Sequence, residues 1–117
     1  MDVLVYCTFR SSAEQDELYT HGRTKPGPVV TWSRGGQSWH QARRAWDAVP
    51  MVNGKPLWGY SDALEPWQIV VDEAERLGIE WAGHWDHMRE FVHYQITDGL
   101  TLDKALALIA TLGLANE

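Results

Sequence analysis

His40 and Asp47 stand seven residues apart in SWHQARRAWD, and Glu90 and His93 form an E-x-x-H pair later in the chain. Imidazole and carboxylate are zinc ligands, and zinc bonds of about 2.0–2.2 Å require ligating atoms within a few ångströms of one another. Residues seven apart on a helix are about 10.5 Å apart along its axis. On a strand, an odd separation sends the two side chains to opposite faces. His40 and Asp47 can therefore share a metal only if the chain bends between them. GGQS before them and AWDAV after them allow a loop that enters a strand. A loop-to-strand junction would likewise aim Glu90 and His93 into one cleft, the Glu taking a proton from water and the His binding metal. The plainer alternative is a surface Glu beside a half-buried His. His84-x-x-His87 with His93 is a rival ligand set, and spacing does not choose between the two. His21, at a helix end, suits a partial positive charge there. Arg10 follows an apolar strand directly, where a fixed guanidinium could hold a carboxylate or a developing oxyanion; an ordinary surface Arg is the alternative.

Composition narrows the setting for that chemistry. The chain has 117 residues and a formal charge of −6, enough for one domain with a modest core. Its acidity argues against nucleic acid, whose phosphates reward clustered Lys and Arg. No apolar run approaches the 18 or so residues that span a bilayer, so no stable membrane association is expected. MDVLVYCTFR lacks the basic start and apolar stretch of a secretory signal, which points to synthesis in a cytoplasm. Cys7 is the only cysteine, which excludes an intrachain disulfide and a cysteine metal cluster. The seven tryptophans belong either to the core or to a groove for peptide or sugar.

The elements that must position these residues follow from local pattern. DVLVYCTF has strand composition. Ser11-Ser12-Ala13-Glu14 has capping-box spacing and opens a helix to about Tyr19. RTKPGP is a loop, VVTW a short strand, and AWDAVPMV a longer one. Asn53-Gly54 folds MV back onto KPLW as a hairpin. SDALEPWQIVVDEAERLG is a helix with Trp67, Val70, Val71, Ala74 and Leu77 on one face and Gly78 as its stop. FVHYQI is a final strand, and TLDKALALIATLG, residues 101–113, a helix capped by Thr101 that packs through Leu102, Ala105, Leu106, Ile109 and Leu112. Strands mixed with two or three helices, without regular βαβ alternation, predict an α+β domain with a small, mostly antiparallel sheet flanked by helices.

FRSSAEQDELYTHGR, VVTWSRGGQSWHQARRAWD, LGIEWAGHW and FVHYQ, in that order, resemble the zinc peptidases of peptidoglycan. These include D-alanyl-D-alanine carboxypeptidases, dipeptidases of the vancomycin-resistance type, and L-alanyl-D-glutamate endopeptidases, among them phage endolysins. The family signature is SxHxxGxAxD followed by (D/E)xxH, and the match covers roughly residues 3 to 96. The R-S-x-x-E-Q…L-Y-x-x-G-R opening and the G-x-E-W-x-G-x-W block look most like the endopeptidase branch, whereas Glu at position 90 is the dipeptidase form. The resemblance implies the D-Ala-D-Ala carboxypeptidase/hedgehog-like fold, with His40, Asp47 and His93 holding Zn2+. It implies Glu90 as the acid/base, Arg10 on the substrate carbonyl or its oxyanion, and Ser38, Gln15 and Trp81 as substrate-binding residues. The implied partner is the peptidoglycan stem peptide, cut between L-alanine and D-glutamate by a monomer. The implied setting is a phage or prophage endolysin with no separate cell-wall-binding domain, released to the wall by a holin. A D-alanyl-D-alanine carboxypeptidase or dipeptidase, and a non-catalytic peptidoglycan-binding module, are the alternatives. Arg43 stands where the signature has glycine. If that glycine serves a tight bend, Arg43 must take a costlier conformation or the loop must differ.

Overall fold

The computed structural model describes residues 2–61 and 63–114. It contains β1 (Asp2–Cys7), α1 (Ser12–Tyr19), β2 (Ala45–Val52), β3 (Lys55–Pro56), α2 (Glu65–Arg76), β4 (Glu80–Trp81), β5 (His93–Gln95) and α3 (Leu102–Thr111). The architecture is α+β, and every strand pairing is antiparallel. The chain forms two compact units: residues 2–8 with 45–96, and residues 9–44 with 97–114. No helix among the described residues is long and apolar enough to cross a membrane.

The first unit is the sheet, in the order β1-β2-β5-β4 with β3 paired to the end of β2. Asn53 and Gly54 both have positive φ, 52° and 74°, as the tight β2–β3 turn requires. Register then sorts side chains by face. Trp46 lies opposite Tyr94, and Tyr94 opposite Trp81, so these rings share one face with Ala48, two residues on from Trp46. That face joins Val71 and Ala74 of α2 in the hydrophobic core. Asp47 lies opposite His93, and Gln95 opposite Glu80, which puts those four side chains together on the other face. Inside the core the Tyr94 hydroxyl has no hydrogen-bond partner among the described residues, and burial pushes its phenol up to about 12.

The second unit holds α1 and α3. Ser11 caps α1 through the predicted box: its Oγ accepts from Glu14 N–H while Glu14 Oε1 accepts from Ser11 N–H. The Ser11 bonds hold the Glu14 carboxyl below the usual carboxylate range. Thr101 caps α3 by accepting from Lys104 N–H at 3.2 Å. Ala105 and Ile109 are buried as expected, but Leu112 is 60% exposed.

Three predicted elements change. VVTW forms no strand: Val29, Val30 and Trp32 are exposed. Thr31 meets side chains instead, its carbonyl accepting from Arg23 and its hydroxyl from Gln15. The second predicted helix begins only at Glu65, because Pro66 has no N–H to donate and belongs to a first turn; Asp62, in its predicted start, lies outside the described residues. Leu77, assigned to the buried face of that helix, is 60% exposed. FVHYQI shortens to His93–Gln95, since His93 N–H closes a turn onto Glu90 O at 3.3 Å.

Candidate metal centre

Two adjacent strands and one turn bring the acidic and imidazole groups together. Antiparallel pairing sets Asp47 on β2 directly across from His93 on β5, and His93 Nδ1 lies 3.6 Å from Asp47 Oδ1. The Glu90–His93 turn returns the Glu90 carboxylate to the same nitrogen, Oε2 lying 3.7 Å away. The side chains of Asp47 and His93 are 11% and 6% exposed, that of Glu90 26%, so Glu90 has the more open position. Trp81 braces the turn from beneath by donating its indole N–H to Phe91 O at 2.8 Å.

His40 comes from a bend that runs directly into β2. Ser38 Oγ accepts from His40 N–H, and Gln41 Oε1 accepts from Ser38 N–H at 3.0 Å. Arg43 N–H and Arg44 N–H close back onto His40 O and Trp39 O. Arg43 supplies the reversal, with φ of +59°: the residue in the glycine position takes the left-handed conformation. Its guanidinium offsets part of that strain. Nε and Nη2 both donate to Leu114 O, at 3.2 and 3.1 Å, and the group sits 4.0 Å above the Phe9 ring. A non-glycine residue in this region costs about 1–2 kcal/mol, while a glycine costs about 0.5–1 kcal/mol of unfolded-chain entropy. Arg43→Gly thus trades strain relief against the lost tether and should change unfolding free energy in urea by no more than about 1 kcal/mol. Arg43→Ala keeps the strain and loses the tether, at about 1–2 kcal/mol. Equal loss in both variants would show that the tether alone matters.

One ligand atom from each of His40, Asp47 and His93 lies within 4.8 Å of the other two, and all three residues are buried. A tetrahedral zinc site places neighbouring ligand atoms about 3.3–3.5 Å apart, close to the Asp47–His93 separation. Two imidazoles and one carboxylate also form a donor set that leaves a coordination position open, as catalytic zinc requires. The residues therefore fit such an ion. The rival set does not assemble: His84 is exposed and pairs with Glu75, His87 is exposed, and among the described residues neither joins a metal-holding group.

Arg10 is set by a buried amide network. Its Nη1 donates to Gln15 Oε1 at 2.9 Å, and its carbonyl accepts from Gln41 Nε2. Gln15 is fully buried; its Nε2 donates to Thr31 Oγ1 and Ser33 O, and its Oε1 also accepts from Gln41. Gln15 and Trp81, which the resemblance implies at the substrate, are 0% and 4% exposed; Gln15 bonds to Arg10 and Trp81 to the Glu90–His93 turn. Gly83 belongs to this packing: a Cβ there would come 2.2 Å from the Trp81 indole. Sequence reasoning missed Gln41 and Gln95. For Gln95 a signal existed, because on a strand residue i+2 shares the face of His93.

Residues 31–96 match the family of M15 peptidases described as D-alanyl-D-alanine carboxypeptidase. The chain belongs to that family. It is 39% identical over 102 residues to the peptidoglycan L-alanyl-D-glutamate endopeptidase CwlK of Bacillus subtilis (strain 168), covering 82% of this chain and 61% of that protein. The chain thus spans about three fifths of that relative's length. The crystal structure of the Serratia marcescens L-Ala D-Glu endopeptidase ChiX superposes with a TM-score of 0.56 at 24% identity, over 89% of this chain and 70% of the other, and shares the fold.

Proposed function

We propose that this protein is a zinc-dependent peptidoglycan endopeptidase that hydrolyses the L-alanyl-D-glutamate bond of the stem peptide. The observation that carries the proposal is the buried His40–Asp47–His93 group with a more exposed Glu90 beside it. The kinship to CwlK supports the choice of bond. Zinc, held by His40, Asp47 and His93, would supply Lewis acidity to the scissile carbonyl and to water. Glu90 accepts a proton as water adds to the carbonyl carbon and returns it to the D-glutamate nitrogen as the C–N bond breaks. Arg10, oriented by Gln15, stabilises the negative oxygen of the tetrahedral intermediate. Ser38 holds the His40 backbone, Gln15 acts through Arg10, and Trp81 acts through the Glu90–His93 turn. The catalytic unit is the whole of residues 1–117 acting as a monomer on the bacterial wall, in the setting of phage- or prophage-driven host lysis.

Mass spectrometry of purified peptidoglycan digested with and without a chelator tests this. The expected products are stems beginning at D-glutamate beside L-alanine left on the glycan, appearing only when metal is present. Release of D-alanine would move the activity to the carboxypeptidase or dipeptidase branch. Wall binding without any cleavage would leave a binding module.

A further inference from the structure

We propose that Glu80, acting through Gln95, fixes the tautomer of His93 and so keeps its Nδ1 unprotonated, the form that binds metal; the inference builds on the proposed centre. Gln95 is 3% exposed and both ends of its amide are used. Its Oε1 lies 2.8 Å from His93 Nε2, and its Nε2 donates to Glu80 Oε2 at 2.7 Å. Trp85 Nε1–H donates to the same Glu80 oxygen at 3.1 Å.

The sense of this chain follows from donor chemistry. An amide offers one accepting and one donating end, whereas a carboxylate only accepts. The Gln95 NH2 must therefore face Glu80, which turns its oxygen to the imidazole. That oxygen also only accepts, so His93 Nε2 carries the hydrogen and a neutral ring has its lone pair on Nδ1. Nδ1 is the atom that faces Asp47 Oδ1 and Glu90 Oε2. Glu80 is not one of the ligand group, yet its accepting oxygen decides which way a buried amide points. Trp85, with its ring centroid 5.7 Å from that of His93, anchors the carboxylate. Outer partners of this kind orient a ligating imidazole and raise its basicity.

The register explains how Glu80, exposed on the edge strand β4, reaches the site. Glu80 pairs with Gln95 on neighbouring strands, and Gln95 follows His93 by two residues, so all three project from one face. Glu80, Trp85 and Gln95 are positioning residues: none is a ligand.

The ring nitrogens of His93 report the effect without any catalysis. In chelator-treated protein, at a pH where its imidazoles are neutral, 15N chemical shifts should show the Nε2–H form alone in the parent and a mixture of tautomers in Glu80→Ala. Zinc affinity, measured by competition with a chromogenic chelator, should fall about 10–100-fold in the same variant. Glu80→Gln, whose amide oxygen can take both donors, should stay near the parent in both measurements. A pure Nε2–H tautomer in Glu80→Ala would overturn the proposal, as would unchanged zinc affinity. If neither the parent nor the variants bind zinc while the tautomer still shifts, the centre's metal assignment fails and the relay stands.

Discussion

Glu90→Gln should retain zinc and lose hydrolysis by about 10²–10⁴-fold, the usual worth of a positioned general acid/base. The substitution preserves shape and hydrogen-bonding reach but removes the ability to accept a proton. Glu90 suits the role by position. Its carboxylate lies within 3.7 Å of the candidate ligand nitrogen, yet it is more than twice as exposed as Asp47 and four times as exposed as His93. A ligand is best enclosed, whereas a proton carrier must meet water and substrate. Turnover of purified stem peptide and zinc content per chain, measured on one preparation, separate the roles. Activity above about a tenth of the parent's would remove Glu90 from the acid/base position, since even modest general catalysis contributes about 100-fold. Loss of zinc would make it a ligand instead.

Replacing His40, Asp47 or His93 singly with Ala should empty the centre and abolish cleavage. Loss of an outer partner alone weakens metal sites about 10–100-fold, so a lost ligand should exceed that range. Stability gives a second readout, because an ion bound only by the folded state at 100 times its Kd adds about 2.7 kcal/mol. Added zinc should therefore raise the unfolding midpoint of the parent and leave the three variants unmoved. His84→Ala and His87→Ala are the controls: both side chains are exposed, and both variants should respond to zinc like the parent. A variant at either position that lost the zinc response would return the rival ligand set.

Much of the secondary structure was legible because its causes are local. The capping box at Ser11, the Asn53-Gly54 turn and the Thr101 cap each concern contacts within a few residues, and each forms as expected. VVTW failed for the opposite reason. Its β-branched composition favours a strand, but a strand needs a neighbour, and Arg23 and Gln15 take the carbonyl and hydroxyl of Thr31 instead. Leu77 and Leu112 fit a helical stripe, yet each lies in the last turn or just beyond, where the packing ends. The resemblance implied Gln15 and Trp81 at the substrate, but their burial and their bonds to Arg10 and to Phe91 O were not legible, because they depend on long-range packing.

The sequence by itself supplied the candidate groups, imidazoles and carboxylates able to hold a metal or move protons and a guanidinium suited to negative charge, while the resemblance alone implied the set of His40, Asp47 and His93. It also determined that a bend must separate His40 from Asp47, since no regular element brings residues seven apart to one ion. Only the tertiary structure decided which histidines assemble, because the pairing of β2 with β5 sets Asp47 against His93 across 46 residues of chain. It likewise decided how the bend forms without glycine. Arg43 adopts the left-handed turn while its side chain reaches the carbonyl of Leu114, 71 residues away, a contact that local spacing cannot encode.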